Sequence, residues 1–443
     1  MVSLPKIAVI GSGPAGFYVT QQILKRSKEA RVDVYDRLPV PFGLVRYGVA
    51  PDHQDVKNCI NQFTKTAKNQ NVRFIGNVQL GRDISLEQMK DAYHSVVLAY
   101  GADSDKTFGI PGESLKNVIS ARTFVGWYNG LPEDQSLVPD LNCEDVVVLG
   151  QGNVAIDVSR VLLKSIDVLK TSDITENALE VLSKSRVKRV HLVGRRGPNH
   201  GMFTIKEFRE MVNLPNVTTI FRPEQLEGLE TAIPSLKRQR VRLMQLIADT
   251  GRKNLTTVEC DKLFKVLFLR SPLEILGTDH VSGVKFSVNK LEGNDIESQH
   301  AVPTGENETI DCGMVLRSIG YRSRQVDTSV PFDTKKCVAL QQPGLYCAGW
   351  LANGPTGVIL TTMAESFLVG EKIAKDIDEK IIDTSQSKPG SEFILKYLHE
   401  KGVQTTDFSD WEKIDAVERD RGSKIGKPRE KVTSVREMLE IVS

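Results

Sequence analysis

Short apolar runs alternate along this chain with longer stretches in which apolar residues recur at helical spacing. Two of the runs, Ile7–Ile10 and Val146–Leu149, each end in a glycine-rich turn that leads into such a stretch. This order of patterns predicts a buried strand, a tight turn and a helix. The chain therefore uses one strand–turn–helix device twice, and we predict an α/β fold built around the two copies.

Both turns have the composition of a pyrophosphate-binding loop. The residues expected to line them are Gly11, Gly13, Pro14, Ala15 and Gly16 in the first turn, and Gly150, Gln151, Gly152, Asn153 and Val154 in the second. Glycines leave the backbone open, so that a pyrophosphate can approach the free N–H groups of a helix N-terminus. One such motif alone is compatible with an ordinary tight turn. Two copies, each between a strand and a helix, favour a protein that binds two nucleotides.

The residue that ends the next strand differs in charge between the two copies. Asp36 follows the predicted strand Val32–Tyr35, 20 residues after Gly16, where a dinucleotide-binding unit places an acid that accepts hydrogen bonds from ribose hydroxyls. Arg195 and Arg196 end the equivalent strand of the second copy, and their guanidinium groups match a 2′-phosphate. The alternatives are a solvated acid and a solvated basic turn. We expect FAD or NAD on the first copy and NADP(H) on the second.

Two further segments suit contact with a cofactor. The proline-rich stretch 39–53 predicts a structured loop without a helix. Its aromatic and apolar content favours packing against something flat, and a plain surface connection is the alternative. The run 96–102 predicts a buried strand that closes on small residues, among them Gly101.

A last buried strand is predicted over 344–350, ending near Gly349 and Trp350. The segment Gly354–Gly357 then predicts a helix start, with Pro355 in the first turn. A helix N-terminus here would stabilise the negative charge that develops on a reduced flavin. An ordinary helix start is the alternative.

Two groups of charged residues after the second turn each have a structural and a binding interpretation. Thr204–Glu207 has the S/T-x-x-E spacing of a helix capping box, which accounts for Glu207 without a ligand. Lys237–Arg242 is the densest positive cluster, and Arg238 and Arg242 share one helix face at i and i+4. That face is either solvated or a docking site for an acidic protein.

Composition narrows the function classes. With 443 residues the chain is long enough for two domains, and its 58 basic and 56 acidic residues nearly cancel, so bulk charge indicates no nucleic-acid binding. Six cysteines contain no CxxC pair and no metal-ligand spacing, so we expect no metal site and buried, reduced thiols. No apolar run is long enough to span a bilayer. A first strand close to Met1 predicts no presequence, although a removed one would look the same.

At this point the motifs resemble a known family, adrenodoxin reductase, the mitochondrial-type ferredoxin–NADP reductases. The resemblance runs over nearly the whole chain and implies FAD on the first copy, NADPH on the second, a [2Fe–2S] ferredoxin as electron acceptor and a mitochondrial location. The motifs that carry it are GSGPAGFY (11–18), VPFGLVRYGVAPDH (40–53), IPGE (110–113), GQGNVAIDVSR (150–160), VGRRGP (193–198), FTIKEFREM (203–211), GPTGVI (354–359), and DWEK and GKPREK near the C-terminus.

The resemblance also assigns roles to individual residues. FAD contacts are implied for the first turn and for Asp36, Leu44, Gly101, Gly349, Trp350, Gly357, Val358 and Ile359. NADP contacts are implied for the second turn and for Arg195, Arg196, Glu207, Trp350 and Gly357. Ferredoxin docking is implied for Arg209, Arg238 and Arg242, because ferredoxins of this type are acidic and charge steers their association.

One implied pair and two departures need testing. His53 and Asp157 match a family pair that belongs to a polar network near the flavin, and we take them as the catalytic candidates, although Asp157 could equally be a helix-surface acid. Asn199–Met202 replaces a more apolar family stretch, which leaves the conformation of the NADP-side loop open. Leu351–Asn353 replaces a segment that is usually basic, which could weaken or redirect docking.

The predicted architecture is two Rossmann-like dinucleotide-binding domains, with the NADP domain (106–329) inserted into a discontinuous FAD domain (1–105 and 330–443). The predicted function is FAD-containing NADPH:ferredoxin oxidoreductase, acting as a monomer, with peripheral contact to a mitochondrial membrane left open. A disulfide reductase would need a redox-active cysteine pair. A flavin monooxygenase or oxidase would consume oxygen without a ferredoxin, and a dinucleotide-sensing protein would turn over nothing. The arginine pair and the basic face favour electron transfer over all three.

Overall fold

The computed structural model describes residues 4–253, 260–293 and 298–443. The chain divides into two compact units. The first unit comprises Met1–Ser104 and Gly320–Ser443, and the second unit comprises Asp105–Ile319. The chain thus begins the first unit, builds the whole second unit and then returns to complete the first.

Helices follow strands through most of both units. The strands are β1 Lys6–Ile10, β2 Arg31–Tyr35, β3 Val72–Ile75, β4 Ser95–Leu98, β5 Ser104–Asp105, β6 Val118–Ser120, β7 Asp145–Leu149, β8 Arg189–Val193, β9 Val217–Phe221, β10 Lys262–Leu267, β11 Arg270–Gly277, β12 Val281–Glu292, β13 His300–Asp311, β14 Met314–Arg317, β15 Tyr321–Arg322, β16 Phe332–Asp333, β17 Val338–Ala339 and β18 Leu345–Cys347. The α-helices are α1 Pro14–Arg26, α2 Leu44–Tyr47, α3 Gln54–Lys57, α4 Cys59–Ala67, α5 Leu86–Ala92, α6 Ala121–Tyr128, α7 Asn153–Leu163, α8 Ile166–Leu169, α9 Glu176–Ser183, α10 Ile205–Val212, α11 Leu229–Ala232, α12 Arg238–Lys253, α13 Trp350–Asn353, α14 Ile359–Asp378, α15 Ser391–Glu400, α16 Phe408–Ser423 and α17 Val435–Val442. Short 3-10 helices span Pro132–Asp134, Pro198–His200, Pro223–Gln225 and Ile233–Ser235.

A five-stranded parallel sheet in the order β18-β4-β1-β2-β3 forms the centre of the first unit. Successive side chains of β1 enter different core clusters, Ala8 and Ile10 on one face and Ile7 and Val9 on the other. Unbroken apolar strands are expected where both faces of a parallel sheet are covered. Helices α1 and α14 pack together over the face that carries Ile7 and Val9.

The second unit repeats this plan with a six-stranded parallel sheet in the order β6-β14-β7-β8-β10-β9. Val146 and Val148 of β7 face the larger core cluster, whereas Val147 and Leu149 face another. The antiparallel sheet β11-β12-β13 contributes its apolar side chains to that second cluster and so covers this face. Two Rossmann-like sheets are therefore present, as the apolar patterns predicted.

Parallel pairing brings the carboxyl ends of the strands to one edge of each sheet. In the first unit the Gly11 N–H donates to the Tyr35 carbonyl oxygen at 2.7 Å, and the Ala99 N–H donates to the Ile10 carbonyl oxygen at 2.8 Å. In the second unit the Gly150 N–H donates to Val193 O at 2.9 Å. The glycine turns thus lie beside the residues that follow the neighbouring strands, which is where α/β sheets bind ligands.

Three local predictions were wrong. The stretch 39–53 contains the short helix α2, which we had predicted to be absent. The helix expected from Gly354–Gly357 starts only at Ile359, because Gly354 and Gly357 have φ values of 79° and 81°, outside the helical range. The thiols are free, but only Cys312 and Cys347 are buried and the other four are half-buried.

Candidate functional site

Each glycine of the first turn meets a different steric requirement. Gly11 has φ 114°, and a Cβ there would overlap the backbone of Ala99. A Cβ on Gly16 would overlap the carbonyl oxygen of Gly11, so this glycine allows α1 to approach β1 closely. Around Gly13, by contrast, no described atom lies within 4 Å of the Cβ position. Gly13 therefore presents bare backbone to open space, as a site that receives a pyrophosphate requires.

Helix α1 begins beside this open space without a side-chain cap. Its N-cap is Gly13 and its first residue is Pro14, so the N–H groups of Ala15 and Gly16 have no partner within the helix. An uncapped N-terminus carries partial positive charge and attracts an anion. A second open position on the same sheet edge is Gly101, with φ 78° and no described atom within 4 Å of a Cβ. The first unit thus fits the diphosphate of FAD.

Asp36 is tied to the first turn by three hydrogen bonds. Its Oδ2 accepts from the Ser12 N–H at 2.9 Å and from the Ser12 hydroxyl at 2.5 Å, and its Oδ1 accepts from the Leu38 N–H at 3.0 Å. A carboxylate offers about four lone-pair sites, so one is left for a ribose hydroxyl. Ser12 was not among the predicted site residues, although its place between the first two glycines indicated a position in the turn.

The loop after β2 closes over the turn. The Phe42 N–H donates to the Ser12 carbonyl oxygen at 3.0 Å, and a Cβ on Gly43 would lie 3.1 Å from the Gly13 Cα. Phe42 has φ 86°, a strained value for a bulky residue. Its ring packs edge-on against Trp411 of α16, with centroids 5.6 Å apart. Helix α16 therefore packs directly against this loop.

A buried ion cluster reinforces that contact. Arg46 of α2, 3% exposed, pairs with Glu418 of α16, which is fully buried. Glu418 also accepts from the Val432 N–H at 2.9 Å and pairs with Arg429 at 3.1 Å. The guanidinium of Arg46 stacks on the Trp411 ring at 5.0 Å. We had assigned no role to the C-terminal tail, and the Arg46–Glu418 pair, 372 residues apart, has no local sequence signal.

The remaining candidates of the first unit have varied surroundings. His53 is buried and precedes α3. Leu44, the first residue of α2, is 42% exposed. Trp350 begins α13, its indole N–H donates to the Thr356 carbonyl oxygen at 3.1 Å, and its ring lies 5.8 Å from that of Tyr321.

The segment before α14 is open to solvent. Gly357 and Val358 are exposed and Ile359 is half-buried. A Cβ on Gly349, which has φ 63°, would lie 2.6 Å from the Ala15 Cβ, so this glycine permits close contact with the first turn. The segment Leu351–Asn353 is part of α13 and carries no charge. These positions leave room for a ligand, and their FAD and NADP roles remain proposals.

The second turn repeats the geometry of the first. Gly150 has φ 133°, and a Cβ there would overlap the Ser318 carbonyl oxygen. Gly152 faces open space, with no described atom within 4 Å of its Cβ position. Helix α7 follows without a side-chain cap, and the buried Ala155 takes the place of the third glycine. A second diphosphate therefore fits here.

Side chains connect this turn to the segment after β8. The Gln151 side chain fills the space over Gly194, and the Gln151 carbonyl oxygen accepts from the Met202 N–H at 2.8 Å. The Asn153 Oδ1 accepts from the Thr204 N–H at 2.8 Å. Thr204 caps α10 as predicted, because its side chain accepts a hydrogen bond from the Glu207 N–H. A full capping box would also have the Glu207 side chain accept from the Thr204 N–H, but that N–H donates to Asn153. The capping box therefore does not account for the Glu207 side chain.

Arg195 is exposed and Arg196 is half-buried, directly after the carboxyl end of β8. Burial lowers the pKa of Arg196, and the neighbouring guanidinium groups of Arg195 and Arg240 lower it further. Among the described residues no carboxylate forms an ion pair with Arg195 or Arg196. Positive charge at this sheet edge is therefore uncompensated, as an anion site requires.

A buried arginine that the sequence analysis missed organises the acidic candidates. Arg160 is fully buried in α7 and pairs with Asp157 at 2.8 Å, with Glu210 at 3.4 Å and with Glu207 at 3.6 Å. Asp157 is thus an ion-pair partner and not a solvated surface acid. Its position i, i+3 from Arg160 on one helix was a visible signal.

The predicted docking arginines lie on two helices of the second unit. Arg209 is on α10, and Arg238 and Arg242 are on the first two turns of α12. All three are exposed, and within the described ranges none forms an ion pair with a carboxylate. Their charges are therefore available to an acidic surface.

The cysteines and the helices bear on two other questions, disulfide chemistry and membrane insertion. All six cysteines are free thiols, so no disulfide supports the disulfide reductase alternative. Over the residues that the structure describes, no helix is both long and apolar enough to cross a membrane.

The chain is similar to known oxidoreductases. The profile of the family described as Pyridine nucleotide-disulphide oxidoreductase matches residues 5–213. The chain is 49% identical to the NADPH:adrenodoxin oxidoreductase, mitochondrial, of Homo sapiens, over 99% of this chain and 92% of that protein. The protein of the same name from Salvelinus fontinalis is also 49% identical, over 99% and 91% of the two chains.

A solved structure agrees over the full length. Mycobacterium tuberculosis FprA in complex with NADPH superposes with a TM-score of 0.94 at 34% identity and covers 99% of each chain. The resemblance found in the motifs is thereby confirmed. With this sequence identity over nearly its whole length, the chain belongs to the NADPH:adrenodoxin oxidoreductase family.

Proposed function

We propose that this protein is an NADPH:ferredoxin oxidoreductase that holds FAD on the first unit and NADPH on the second. The observation that carries the proposal concerns the two copies of the strand–turn–helix unit. The residue after the second strand is acidic in the first copy and basic in the second. Asp36 follows the second strand of the first copy, and Arg195 and Arg196 follow that of the second. An acid repels a 2′-phosphate and an arginine pair binds one, so the two units select different nucleotides.

The protein contributes binding and electrostatics, because the cofactors carry the redox chemistry. When bound, NADPH supplies a hydride, and FAD accepts it and can release the two electrons one at a time. The uncapped N-terminus of α1 and the open Gly13 would hold the FAD diphosphate, with Asp36 orienting the ribose. The N-terminus of α14 places further backbone donors after Val358.

His53 and Asp157 are proposed as positioning groups of a polar network near the flavin, as the family resemblance implies. His53 is buried, and Asp157 is held by the fully buried Arg160. Glu207 shares that arginine and is proposed to contact NADP. Each of these roles can be tested with His53→Gln, Asp157→Asn or Glu207→Gln by measuring NADPH oxidation.

The proposed electron acceptor is an acidic [2Fe–2S] ferredoxin of the adrenodoxin type. Arg209, Arg238 and Arg242 supply exposed charge that carboxylates of the partner would meet, and such pairing mainly accelerates and orients association. Relatives are named as mitochondrial proteins that act on adrenodoxin. We propose the same compartment and a monomeric protein, with attachment to the membrane limited to its periphery.

The decisive experiment is reduction of cytochrome c by the purified protein and NADPH, with and without a mitochondrial-type [2Fe–2S] ferredoxin. We expect strong dependence on the ferredoxin. A rate that ignores the ferredoxin while oxygen is consumed would replace the proposal with a flavin oxidase or monooxygenase. Binding of both nucleotides without turnover would favour a dinucleotide-sensing protein.

A further inference from the structure

Helix α12 carries a third arginine in its first turns that points away from the docking face. Arg238 and Arg242 are exposed, whereas Arg240 between them is half-buried. Two positions along an α-helix correspond to a rotation of about 200°. Arg240 therefore lies on the opposite side of the helix from the two docking arginines, towards the body of the second unit.

A hydrogen bond connects Arg240 to the loop after the arginine pair. Its Nη1 donates to the carbonyl oxygen of Gly201. The next residue, Met202, donates its N–H to the Gln151 carbonyl oxygen at 2.8 Å, inside the second glycine turn. Helix α12 also packs against the 3-10 helix Pro198–His200. Arg240 thus reaches the segment that follows the arginine pair and contacts the second glycine turn.

The surroundings of Arg240 are positive and lack compensation. Burial lowers the pKa of Arg196, and the positive charges of Arg195 and then of Arg240 lower it further. No carboxylate of the described chain forms an ion pair with any of the three. Like charges held close together are unfavourable unless an anion joins them, and a 2′-phosphate is a dianion with several acceptor oxygens.

We propose that Arg240 is a third guanidinium group of the subsite that receives the 2′-phosphate of NADPH, and so a specificity-determining residue. This inference rests on the proposed function, because it takes the second unit as the NADP site. Its hydrogen bond to Gly201 preorganises the guanidinium, so that binding does not have to order a free side chain. The same two turns of α12 thereby serve the nucleotide on one side and the ferredoxin on the other.

The test compares two small nucleotides that differ only in the phosphate. Binding of 2′,5′-ADP and of 5′-ADP to the FAD-loaded full-length protein is measured by isothermal titration calorimetry for wild type, R240Q, R240K and R186Q. Arg186 is exposed and hydrogen-bonded to Asn142, at the end of β8 away from the arginine pair. R186Q therefore removes the same charge from the same unit without touching the proposed subsite.

We expect R240Q to weaken 2′,5′-ADP about tenfold and to change 5′-ADP less than about twofold, since one charge-assisted contact is lost. R240K keeps the charge and should stay within about threefold of wild type for both ligands, and R186Q should match wild type. R240Q affinity within twofold of wild type for 2′,5′-ADP would overturn the inference.

Equal losses for both nucleotides in R240Q would also overturn it, because Arg240 would then only hold the loop. If R240Q does not fold, R240M, which also removes the charge, is measured in its place and judged by the same criterion. Failure of the proposed function looks different: wild-type protein would then bind 2′,5′-ADP no better than 5′-ADP.

Discussion

Substitution of Glu418 should strongly destabilise the first unit. It is fully buried on α16 and faces Arg46 and Arg429. Glu418→Gln keeps the shape and the hydrogen bond from the Val432 N–H. It removes the charge, however, and leaves the buried guanidinium of Arg46 without its carboxylate.

The expected loss in the free energy of unfolding follows from the burial of this ion pair. Removing one partner of a buried ion pair costs about 3–5 kcal/mol, because the remaining charge stays desolvated. For a unit of this size each kcal/mol lowers the melting temperature by about 2–4 °C, so we expect a decrease of about 6–20 °C. Arg46 is part of α2, next to the loop that covers the first glycine turn, so flavin should be released in the same transition.

The assay is thermal unfolding followed by the rise of flavin fluorescence on release. Asp420→Asn is the matched control, because Asp420 lies on the same helix and pairs with Lys424 at 2.6 Å, both side chains being more than 60% exposed. An exposed pair contributes about 0–1 kcal/mol, so this variant should shift the transition by less than about 4 °C. Equal shifts for the two variants would refute the reasoning about the buried pair.

Four further predictions test the turns and the charges. Gly16→Ala should destabilise the fold because its Cβ overlaps the Gly11 carbonyl oxygen, whereas Gly13→Ala should leave the cofactor-free melting temperature unchanged and lower the flavin content; flavin absorbance and calorimetry separate the two. Arg196→Ala should reduce kcat/KM with NADPH at least about tenfold more than with NADH, and equal losses would contradict the 2′-phosphate assignment. Arg238→Glu should raise KM for ferredoxin about tenfold while KM for NADPH stays within about twofold. Burial lowers the pKa of His191 in the folded protein. Below about pH 6.5 the unfolded chain therefore binds a proton at His191 more readily than the folded chain does. The free energy of unfolding measured in urea should fall as the pH drops below about 6.5, and His191→Gln should make this pH dependence weaker.

Local sequence patterns were sufficient to predict the backbone features of the two candidate nucleotide sites. Both glycine turns, the strands before them and the charged residues after β2 and β8 lie where sequence spacing predicted. Each of these features depends on neighbours close in the sequence, 25 residues from Gly11 to Asp36 and 45 from Gly150 to Arg195, because each copy forms one local unit. The resemblance to the family then supplied the cofactors and the partner.

The features that were missed depend on long-range contacts or on individual backbone angles. Glu418 meets Arg46 only after the chain has returned from the second unit. Arg160 is buried in α7, and two of its three carboxylate partners, Glu207 and Glu210, come from α10 through long-range packing. The late start of α14 follows from the positive φ of Gly357, and a glycine-proline segment alone does not specify that angle.

The discontinuous first unit has a consequence for how the protein is made. Its central sheet needs β18 beside β4, yet the whole of Asp105–Ile319 is synthesised between those strands. From the end of β4 at Leu98 to the end of β18 at Cys347 is 249 residues (347 − 98), so at about 5–20 residues per second roughly 12–50 s pass before the edge of β4 can be paired. During that time the second unit can complete its fold, while the first four strands expose an unpaired edge that invites aggregation. We therefore expect the nascent first unit to benefit from a chaperone until β18 has been made.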